Sequence, residues 1–402
     1  MIQPKLEVVI VGAGFAGLKA ARELKKRRDI HVTLISERDE FWYSPTMYRT
    51  ATGHWRRESC IPLTSIIRKY KNLTFVPAKA KTIDREARQL VTEDGQTFTY
   101  DYAILALGVV TSYFGIPGVQ ELSYNIKTSD GLDRLRTHLH QELTEDGEMD
   151  KNYVVIGAGP TGVELAAALK SYLKRIAKMH KIKKSTVHIE LIEAAPKVLP
   201  VFKERVSRLA TKRLKKLGVK LLLGQKVEGE TETSLTVSGR SIPTQTVIWT
   251  AGVTNNPFFA ANPTQFELNE KKKVVVNEFL QVDPHTFVVG DNAATKYSGL
   301  ALTAVRDGRH AARYIKSTLR HLQPHKHRNI LPVSVVPVGG FWAIFVWGWV
   351  IFGGKLGALL RIGGDFVGYY DIMGVNNALA IMRKMNEYEE TCPTCKSGII
   401  KE

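Results

Sequence analysis

The sequence predicts an α/β fold built around two parallel sheets, and three observations support this prediction. An apolar β-branched run, a glycine-rich turn and a helical stretch follow one another from residue 7, and the same order recurs from residue 152. The 402 residues are enough for two or three domains. Hydrophobic residues make up 44% and charged residues 24% of the chain, which excludes disordered and fibrous classes.

The first unit contains a dinucleotide-binding turn. The strand EVVIV leads into GAGFAG at residues 12–17, and a helical stretch and the strand HVTLIS follow. Gly12 permits the tight turn, Gly14 lets the backbone approach a pyrophosphate, and Gly17 lets helix pack on strand. The helix N-terminus favours the phosphate charge. The pattern predicts a Rossmann-type βαβ unit.

The second unit repeats this arrangement in NYVVIGAGPTG, with Gly157, Gly159 and Gly162 in the turn. A helix is expected from about Val163, and the strand VHIELIE ends at Glu193. A carboxylate at this strand end binds ribose hydroxyls and repels a 2′-phosphate, so Glu193 favours NADH over NADPH. Two turns in the correct context predict two bound dinucleotides.

In the first unit, the acidic residue lies one position later in the sequence than its counterpart in the second unit. Superposing the two units through their Leu-Ile pairs places Ser36 at the position of Glu193, with Glu37 next. Glu37 therefore binds an adenosine ribose only after a small shift of the strand end. The second unit is also longer, because it carries the basic helical stretch SYLKRIAKMHKIKKS, either a solvated helix or a membrane or partner surface.

The net charge indicates which classes of partner the protein can bind, and the cysteine content indicates its redox compartment. Lys plus Arg is 57 against 39 Asp plus Glu, a net charge of +18 that favours lipid headgroups, nucleic acid or phosphorylated cofactors. No nucleic-acid recognition motif is present, so nucleic acid is not expected. The three cysteines are too few for a disulfide framework, which favours a reducing, cytoplasmic compartment.

Three further segments end strands with small residues. YDYAILALG ends in Ala106-Leu107-Gly108, and FGIPG at residues 114–118 indicates a turn leaving the first domain. TVIWTAG ends at Gly252, and TFVVGD places Gly290 and Asp291 in a tight turn ahead of an amphipathic helix. Asp291 has an alternative role as an Asx-turn residue.

The order of these motifs resembles the type II NADH:quinone oxidoreductases, from about residue 7 to residue 320. The resemblance implies FAD in the first unit and NADH in the second, with the NADH domain inserted in the FAD domain. The domains it implies are residues 1–115 and 266–328 for FAD, 116–265 for NADH, and 329–402 as a C-terminal membrane-associating or dimerisation segment.

The same resemblance assigns the site residues. FAD contacts are implied at Gly12, Gly14, Phe15, Ala16, Gly17, Glu37, Pro45, Ala106, Gly108, Gly290, Asp291, Ala301 and Leu302, and NADH contacts at Gly157, Gly159, Thr161, Gly162, Glu193 and Gly252. Glu164 is implied as the catalytic residue near nicotinamide and flavin, although an acid in the first helical turn also simply favours the helix dipole. Amides near Ala301 and Leu302 are expected to stabilise negative charge on reduced flavin.

The implied activity is hydride transfer from NADH to FAD, followed by transfer of two electrons to a membrane quinone without proton pumping. One departure keeps alternatives open. The family's A-Q-x-A-x-Q-Q-G pattern is replaced by ALTAVRDG at residues 301–308, so Arg306 or Asp307 substitutes at the acceptor site, or the acceptor is a soluble electron carrier. The third hypothesis is a basic flavin-containing sensor protein that binds polyanions.

The C-terminal part predicts strands and then a membrane-docking segment. Residues 330–354 carry no charge, but Pro332, Pro337 and two Gly-Gly pairs disfavour a spanning helix. The β-branched and aromatic residues favour the strands FWAIFV and WVIF, joined near Trp347-Gly348. The following KLGALLRIGGDFVGYYDIMG is amphipathic, and nearby tryptophans with Lys355 and Arg361 suit a headgroup interface. We expect peripheral attachment to the cytoplasmic face of the cell membrane and a homodimer.

The tail carries Cys392 and Cys395 in TCPTCKSG. A closed zinc site needs four ligands, and the sequence contains no second cysteine pair, so no metal site is expected. A redox or intermolecular thiol pair and a plain tail are the alternatives.

Overall fold

The computed structural model describes residues 5–145, 151–182, 187–390 and 398–400. Cys392 and Cys395 lie outside the described residues, so their role stays a sequence prediction. The predicted α/β class is confirmed, because parallel sheets and helices alternate through most of the chain.

The helices pack against the sheets and against one another. In chain order they are α1 (Phe15–Leu24), α2 (Met47–Ala51), α3 (Leu63–Ile67), α4 (Val119–Leu122), α5 (Ser129–Glu145), α6 (Pro160–Met179), α7 (Glu204–Lys216), α8 (Pro257–Ala261), α9 (Ala301–Thr318), α10 (Lys355–Met373) and α11 (Val375–Lys384).

The strands are mostly short. Those before residue 112 are β1 (Leu6–Val11), β2 (Ile30–Ile35), β3 (Glu40–Trp42), β4 (Cys60–Pro62), β5 (Leu73–Val76), β6 (Ala80–Asp84), β7 (Gln89–Thr92), β8 (Thr97–Thr99), β9 (Tyr102–Leu105) and β10 (Val109–Thr111). Those between residues 151 and 255 are β11 (Lys151–Ile156), β12 (Val187–Glu193), β13 (Val219–Leu223), β14 (Val227–Glu230), β15 (Ser234–Val237), β16 (Arg240–Pro243), β17 (Thr246–Trp249) and β18 (Val253–Asn255). The remainder are β19 (Gln281–Asp283), β20 (Thr286–Val288), β21 (Ser334–Pro337), β22 (Ala343–Trp347), β23 (Val350–Gly354), β24 (Tyr388–Glu390) and β25 (Gly398–Ile400).

The first sheet has the order β19-β20-β9-β1-β2-β5. Strands β1, β2, β5, β9 and β20 run parallel, so their carboxyl ends meet at one edge, where ligands bind in open α/β sheets. Strand β20 comes from the distant part of the chain, and helix α9 after it packs closely against α1. This brings the turns after β1 and β20 together.

The second sheet has the order β13-β12-β11-β17 and is wholly parallel. Helix α6 begins at Pro160, three residues earlier than the sequence predicts, because proline fits the first position of a helix. The antiparallel pair β10–β18 joins the segments that link the two sheets.

The C-terminal segment adds an antiparallel sheet and two helices. Strands β22 and β23 pair across a turn at Gly348, as the sequence predicts. Helix α10 packs on β21 and β22, and its Tyr369 and Ile372 are buried in the core of the first sheet. Among the described residues, none of the helices combines the length and the hydropathy needed to cross a bilayer.

Candidate active site

In the turn after β1, two of the three glycines are packed against backbone atoms and the third borders free space. A Cβ on Gly12, whose φ is +102°, would lie 2.3 Å from the Ala106 carbonyl oxygen, and one on Gly17 would lie 1.9 Å from the Gly12 oxygen. A Cβ on Gly14 would meet nothing within 4 Å. Backbone crowding therefore requires the outer two glycines, while Gly14 borders free space at the N-terminus of α1.

The turn after β11 repeats this geometry. A Cβ on Gly157 would lie 2.9 Å from Ala251, and one on Gly162 would lie 1.8 Å from the Gly157 oxygen. Gly159, at the N-cap of α6, again has nothing within 4 Å. Thr161 follows in the first turn of α6. Both turns thus fit a pyrophosphate at a helix N-terminus.

Two cavities extend from the first turn. One of about 410 Å³ is lined by Gly12, Ser36, Glu37 and Arg38. The other, of about 150 Å³, unites residues that the sequence assigns to one ligand, namely Gly14, Phe15, Ala16, Ala106, Gly108, Gly290, Asp291 and Ala301. Leu302 follows at the start of α9. This arrangement fits an elongated dinucleotide such as FAD.

The cavity of the second unit has a volume of about 460 Å³. Gly157, Gly159, Glu193 and Gly252 line it, so the sequence brings together four of the residues it assigns to NADH. Exposed Phe114 also lines it and packs edge-on against Trp249, a neighbour that the sequence reasoning missed. The cavity is mostly apolar with a carboxylate at its rim, which suits a nucleoside.

The two strand-end acids differ as the sequence superposition indicates. The Gly12 amide donates to Ile35 and the Gly157 amide to Ile192, each at 2.8 Å, so Ser36 and Glu193 are structurally equivalent. The carboxylate of Glu193 accepts hydrogen bonds from the amides of Ala158 and Ala195, at 2.7 and 2.9 Å. Glu193 is therefore fixed in place, whereas Glu37 is exposed one residue beyond the equivalent position.

The turn after β20 is fixed by a side chain from α9. The Gly290 amide donates to Asp307 Oδ2 at 3.1 Å, and the Gly299 amide donates to Asp291 Oδ1 at 3.0 Å. Burial raises the pKa of Asp291, although Lys273 opposes the shift. Asp291 thus shapes a turn and also borders the cavity, so both of its expected roles are compatible with the geometry.

Arg306 and Asp307, the two residues expected to replace the family's glutamines at the acceptor site, lie in different surroundings. Asp307 is fully buried, holds the Gly290 turn, and lies 2.9 Å from His327 Nε2. Arg306 donates to the Ile330 carbonyl at 3.1 Å on the surface. Asp307 is therefore a structural residue of the turn, and the expectation that it replaces a family glutamine at an acceptor is wrong.

A buried charge network lies between the two units. Arg361 of α10 is 2.9 Å from Asp365 and 3.4 Å from Glu164 of α6, and its guanidinium also donates to the carbonyl of Pro45. The Tyr43 hydroxyl donates to Asp365 at 3.2 Å. Parts of the first unit, the second unit and the C-terminal segment therefore meet at one guanidinium.

The network keeps a proton on Glu164. Burial raises the pKa of Glu164 to about 8, and Arg361 only partly opposes this because Asp365 shares the same cation. Burial raises the pKa of Tyr43, and the neighbouring Asp365 raises it further. At neutral pH the Glu164 carboxyl is therefore mostly protonated and lies beside the Arg361 guanidinium.

Sequence reasoning placed Arg361 at a headgroup interface, and this is wrong. Its side chain is only 12% exposed and lies inside the network. Two opposite charges four residues apart, with apolar residues and glycines on both sides, were the available signal, since such a pair can face inward when its helix packs on a core. Tyr43 is also buried, and it stacks on Tyr369 at 4.1 Å.

Comparison with known proteins agrees with this arrangement. The family model of the pyridine nucleotide-disulphide oxidoreductases matches residues 6–308. A type II NADH:quinone oxidoreductase of Mycobacterium tuberculosis is 32% identical over 341 residues, covering 79% of this chain and 73% of the relative. The chain belongs to the type II NADH:quinone oxidoreductase family. A Staphylococcus saprophyticus type II NADH:quinone oxidoreductase is 27% identical and is covered to 84%.

Solved structures share the fold of this type II NADH:quinone oxidoreductase family member. NDH2 from Plasmodium falciparum in complex with NADH has a TM-score of 0.81 at 16% identity, with 95% of this chain and 97% of that chain covered. The sulfide:quinone oxidoreductase of Aquifex aeolicus has a TM-score of 0.78 at 20% identity, with 99% and 100% covered. The predicted architecture with two dinucleotide-binding units is thereby confirmed.

Proposed function

We propose that this protein is an FAD-dependent NADH:quinone oxidoreductase that does not pump protons. FAD supplies a group that accepts hydride and releases two electrons to a second acceptor. The two glycine turns, each open at its central glycine, support one dinucleotide per unit. The relatives' names support NADH as donor and quinone as acceptor. The domain division inferred from the sequence is part of the proposal.

The observation that carries the proposal is the position of Glu164. Helix α6 starts at the turn assigned to NADH, and Glu164, its fifth residue, lies 3.4 Å from Arg361, which donates a hydrogen bond to the Pro45 carbonyl of the first unit. Glu164 is therefore buried where α6 of the second unit, the Pro45 segment of the first unit and α10 meet, and we propose that nicotinamide and flavin approach each other there. A type II reductase needs its nicotinamide and flavin sites to meet at such a junction.

The protein's own residues bind, orient and hold a proton. Glu193, fixed by two amides, binds the ribose hydroxyls of NADH and repels a 2′-phosphate. Glu164 holds a proton on its carboxyl at neutral pH and can donate it as the acceptor is reduced. Arg361 positions that carboxyl, and amides at the start of α9 stabilise negative charge in the first unit.

The acceptor side is proposed to lie at a membrane. Exposed apolar side chains crowd the C-terminal segment, which soluble monomers seldom leave uncovered. They are Ile330, Leu331, Val333, Phe341, Trp347, Trp349, Leu356, Leu359, Leu360, Ile362, Val367, Tyr370, Val375 and Leu379. We place this surface on the cytoplasmic face of the cell membrane as a peripheral attachment, with part of it forming a homodimer contact.

A soluble electron carrier is the second candidate acceptor. The absent glutamines favour it, since Asp307 is buried and supplies no acceptor contact in their place.

Steady-state turnover tests the proposal. NADH oxidation is measured with a short-chain ubiquinone or menaquinone analogue, and the same assay is run with NADPH. We expect quinone-dependent oxidation with NADH strongly preferred. Activity with NADPH equal to that with NADH, or turnover with a redox protein but not with quinones, would contradict the assignment.

A further inference from the structure

A basic groove of about 490 Å³ lies between α9 and residues 325–330. Its lining includes five permanent cations, Arg306, Arg309, Arg313, Lys326 and Arg328, together with three histidines. Within the described part of the chain, no carboxylate lines it. None of the three cavities described above for the cofactors is lined by any of these residues.

Most of this positive charge is not neutralised. Arg309 lies 2.7 Å from Asp371, and Lys326 lies 2.9 Å from Glu278. Arg306, Arg313 and Arg328 form no ion pair with any described residue. Three uncompensated guanidinium groups around one concave surface favour an anionic ligand, and arginine is well suited to phosphate oxygens.

The groove is held in shape by specific contacts. His327 Nε2 lies 2.9 Å from buried Asp307, the residue that holds the turn after β20. The His327 amide donates to the Glu278 carbonyl at 2.8 Å, and Arg306 donates to the Ile330 carbonyl. These contacts hold the backbone of residues 327–330 beside α9, so the cations of the segment and of the helix face the same groove.

An exposed apolar surface continues directly from the groove. Ile330, Leu331 and Val333 are 54%, 43% and 40% exposed. A Cβ on Gly348 would lie 3.4 Å from Leu331 Cδ2, so this segment reaches the β22–β23 turn, where Trp349 is 83% exposed. Cations beside tryptophan and aliphatic side chains are typical of surfaces that contact headgroups and acyl chains together.

We infer that this groove binds the phosphate of anionic phospholipids and makes the attachment of the protein selective for anionic membranes. The inference rests on the proposed peripheral attachment and specifies the lipid class. A free nucleotide fits the charge less completely, since it leaves the apolar residues next to the groove in water.

Co-sedimentation with vesicles tests this inference. Binding is compared on phosphatidylcholine vesicles with and without phosphatidylglycerol, for wild type and for Arg313→Glu/Arg328→Glu. The control is Arg88→Glu/Arg240→Glu, which makes the same charge change on exposed arginines outside the groove. Flavin content and thermal unfolding verify that each variant is folded.

Wild type is expected to bind the anionic vesicles at least tenfold more tightly, and added salt is expected to reduce the difference. Since each basic residue near an anionic surface contributes roughly fivefold, the groove variant should lose at least tenfold and the control less than about threefold.

The remaining outcomes distinguish failure of the groove assignment from failure of the proposed membrane attachment. Equal losses in both variants, or no loss in the groove variant, overturn the groove assignment and leave membrane attachment intact. If the groove variant loses binding of tripolyphosphate but not of vesicles, the occupant is a soluble anion and the inference is wrong. A wild type that binds neither vesicle contradicts the proposed attachment itself.

Discussion

Replacing Gly159 with alanine is expected to weaken NADH binding without destabilising the fold. Gly159 has φ −68° and ψ −179°, an extended conformation that alanine adopts, and its added Cβ would meet no protein atom within 4 Å. We therefore expect the free energy of unfolding to change by less than about 1 kcal/mol, the usual cost of alanine at an N-cap. The methyl group instead occupies the space through which a pyrophosphate reaches the amides of α6.

The loss of one hydrogen bond to a charged group costs about 1.5–3 kcal/mol, which corresponds to about a 10- to 150-fold increase in the KM for NADH. The assay is NADH oxidation with ferricyanide, combined with flavin absorbance after desalting and urea unfolding. FAD content should not change. A KM within about twofold of wild type would refute the placement of the pyrophosphate at this turn.

Two matched variants complete this test. Gly14→Ala makes the same change in the first unit, where a Cβ also meets nothing within 4 Å, and it should lower flavin content instead. Gly162→Ala puts a Cβ 1.8 Å from the Gly157 oxygen and should destabilise the fold itself. Identical effects from all three variants would contradict the distinction between open and crowded glycines.

Four further predictions concern three ionisable residues. Because the Glu164 pKa is about 8, quinone reduction in wild type should fall above that pH, whereas Glu164→Gln should be slower by about 10²-fold and lack this decline in a pH–rate profile. The folded state keeps this proton up to pH 8 while the unfolded chain releases it near pH 4.5, so wild-type stability should fall across that range more steeply than that of Glu164→Gln in urea titrations. Arg361→Met leaves Asp365 buried without its cation and should lower the free energy of unfolding by about 3–5 kcal/mol, with a smaller loss for Arg361→Lys; equal losses would indicate that the charge is unimportant. Glu193→Ala should raise the KM for NADH about tenfold or more and reduce discrimination against NADPH, and unchanged discrimination would exclude the ribose contact.

Much of the fold is readable from the sequence, because glycine turns after apolar strands have few structural alternatives. Gly12 and Gly157 need left-handed φ values, and the local pattern already specifies both positions. The β22–β23 hairpin was also predictable, since its β-branched and aromatic residues favour strands and Gly348 supplies the turn.

The contacts of Arg361 were not predictable in the same way. They join Glu164 to Asp365 and Pro45 across sequence separations of up to 316 residues, and only tertiary packing brings these groups together. The same limitation applies to Asp307, whose position in a motif suggested an acceptor contact while its side chain turns inward to Gly290. Local periodicity fixes which face a residue occupies but not which distant partner it meets.

The most direct test of the central claim is anaerobic reduction of the purified protein by NADH, followed by addition of a water-soluble quinone analogue. Flavin absorbance reports both half-reactions. We predict rapid bleaching by NADH and rapid recovery with the quinone. Bleaching without recovery would contradict the quinone assignment while retaining the NADH site, and absence of bleaching would contradict the account as a whole.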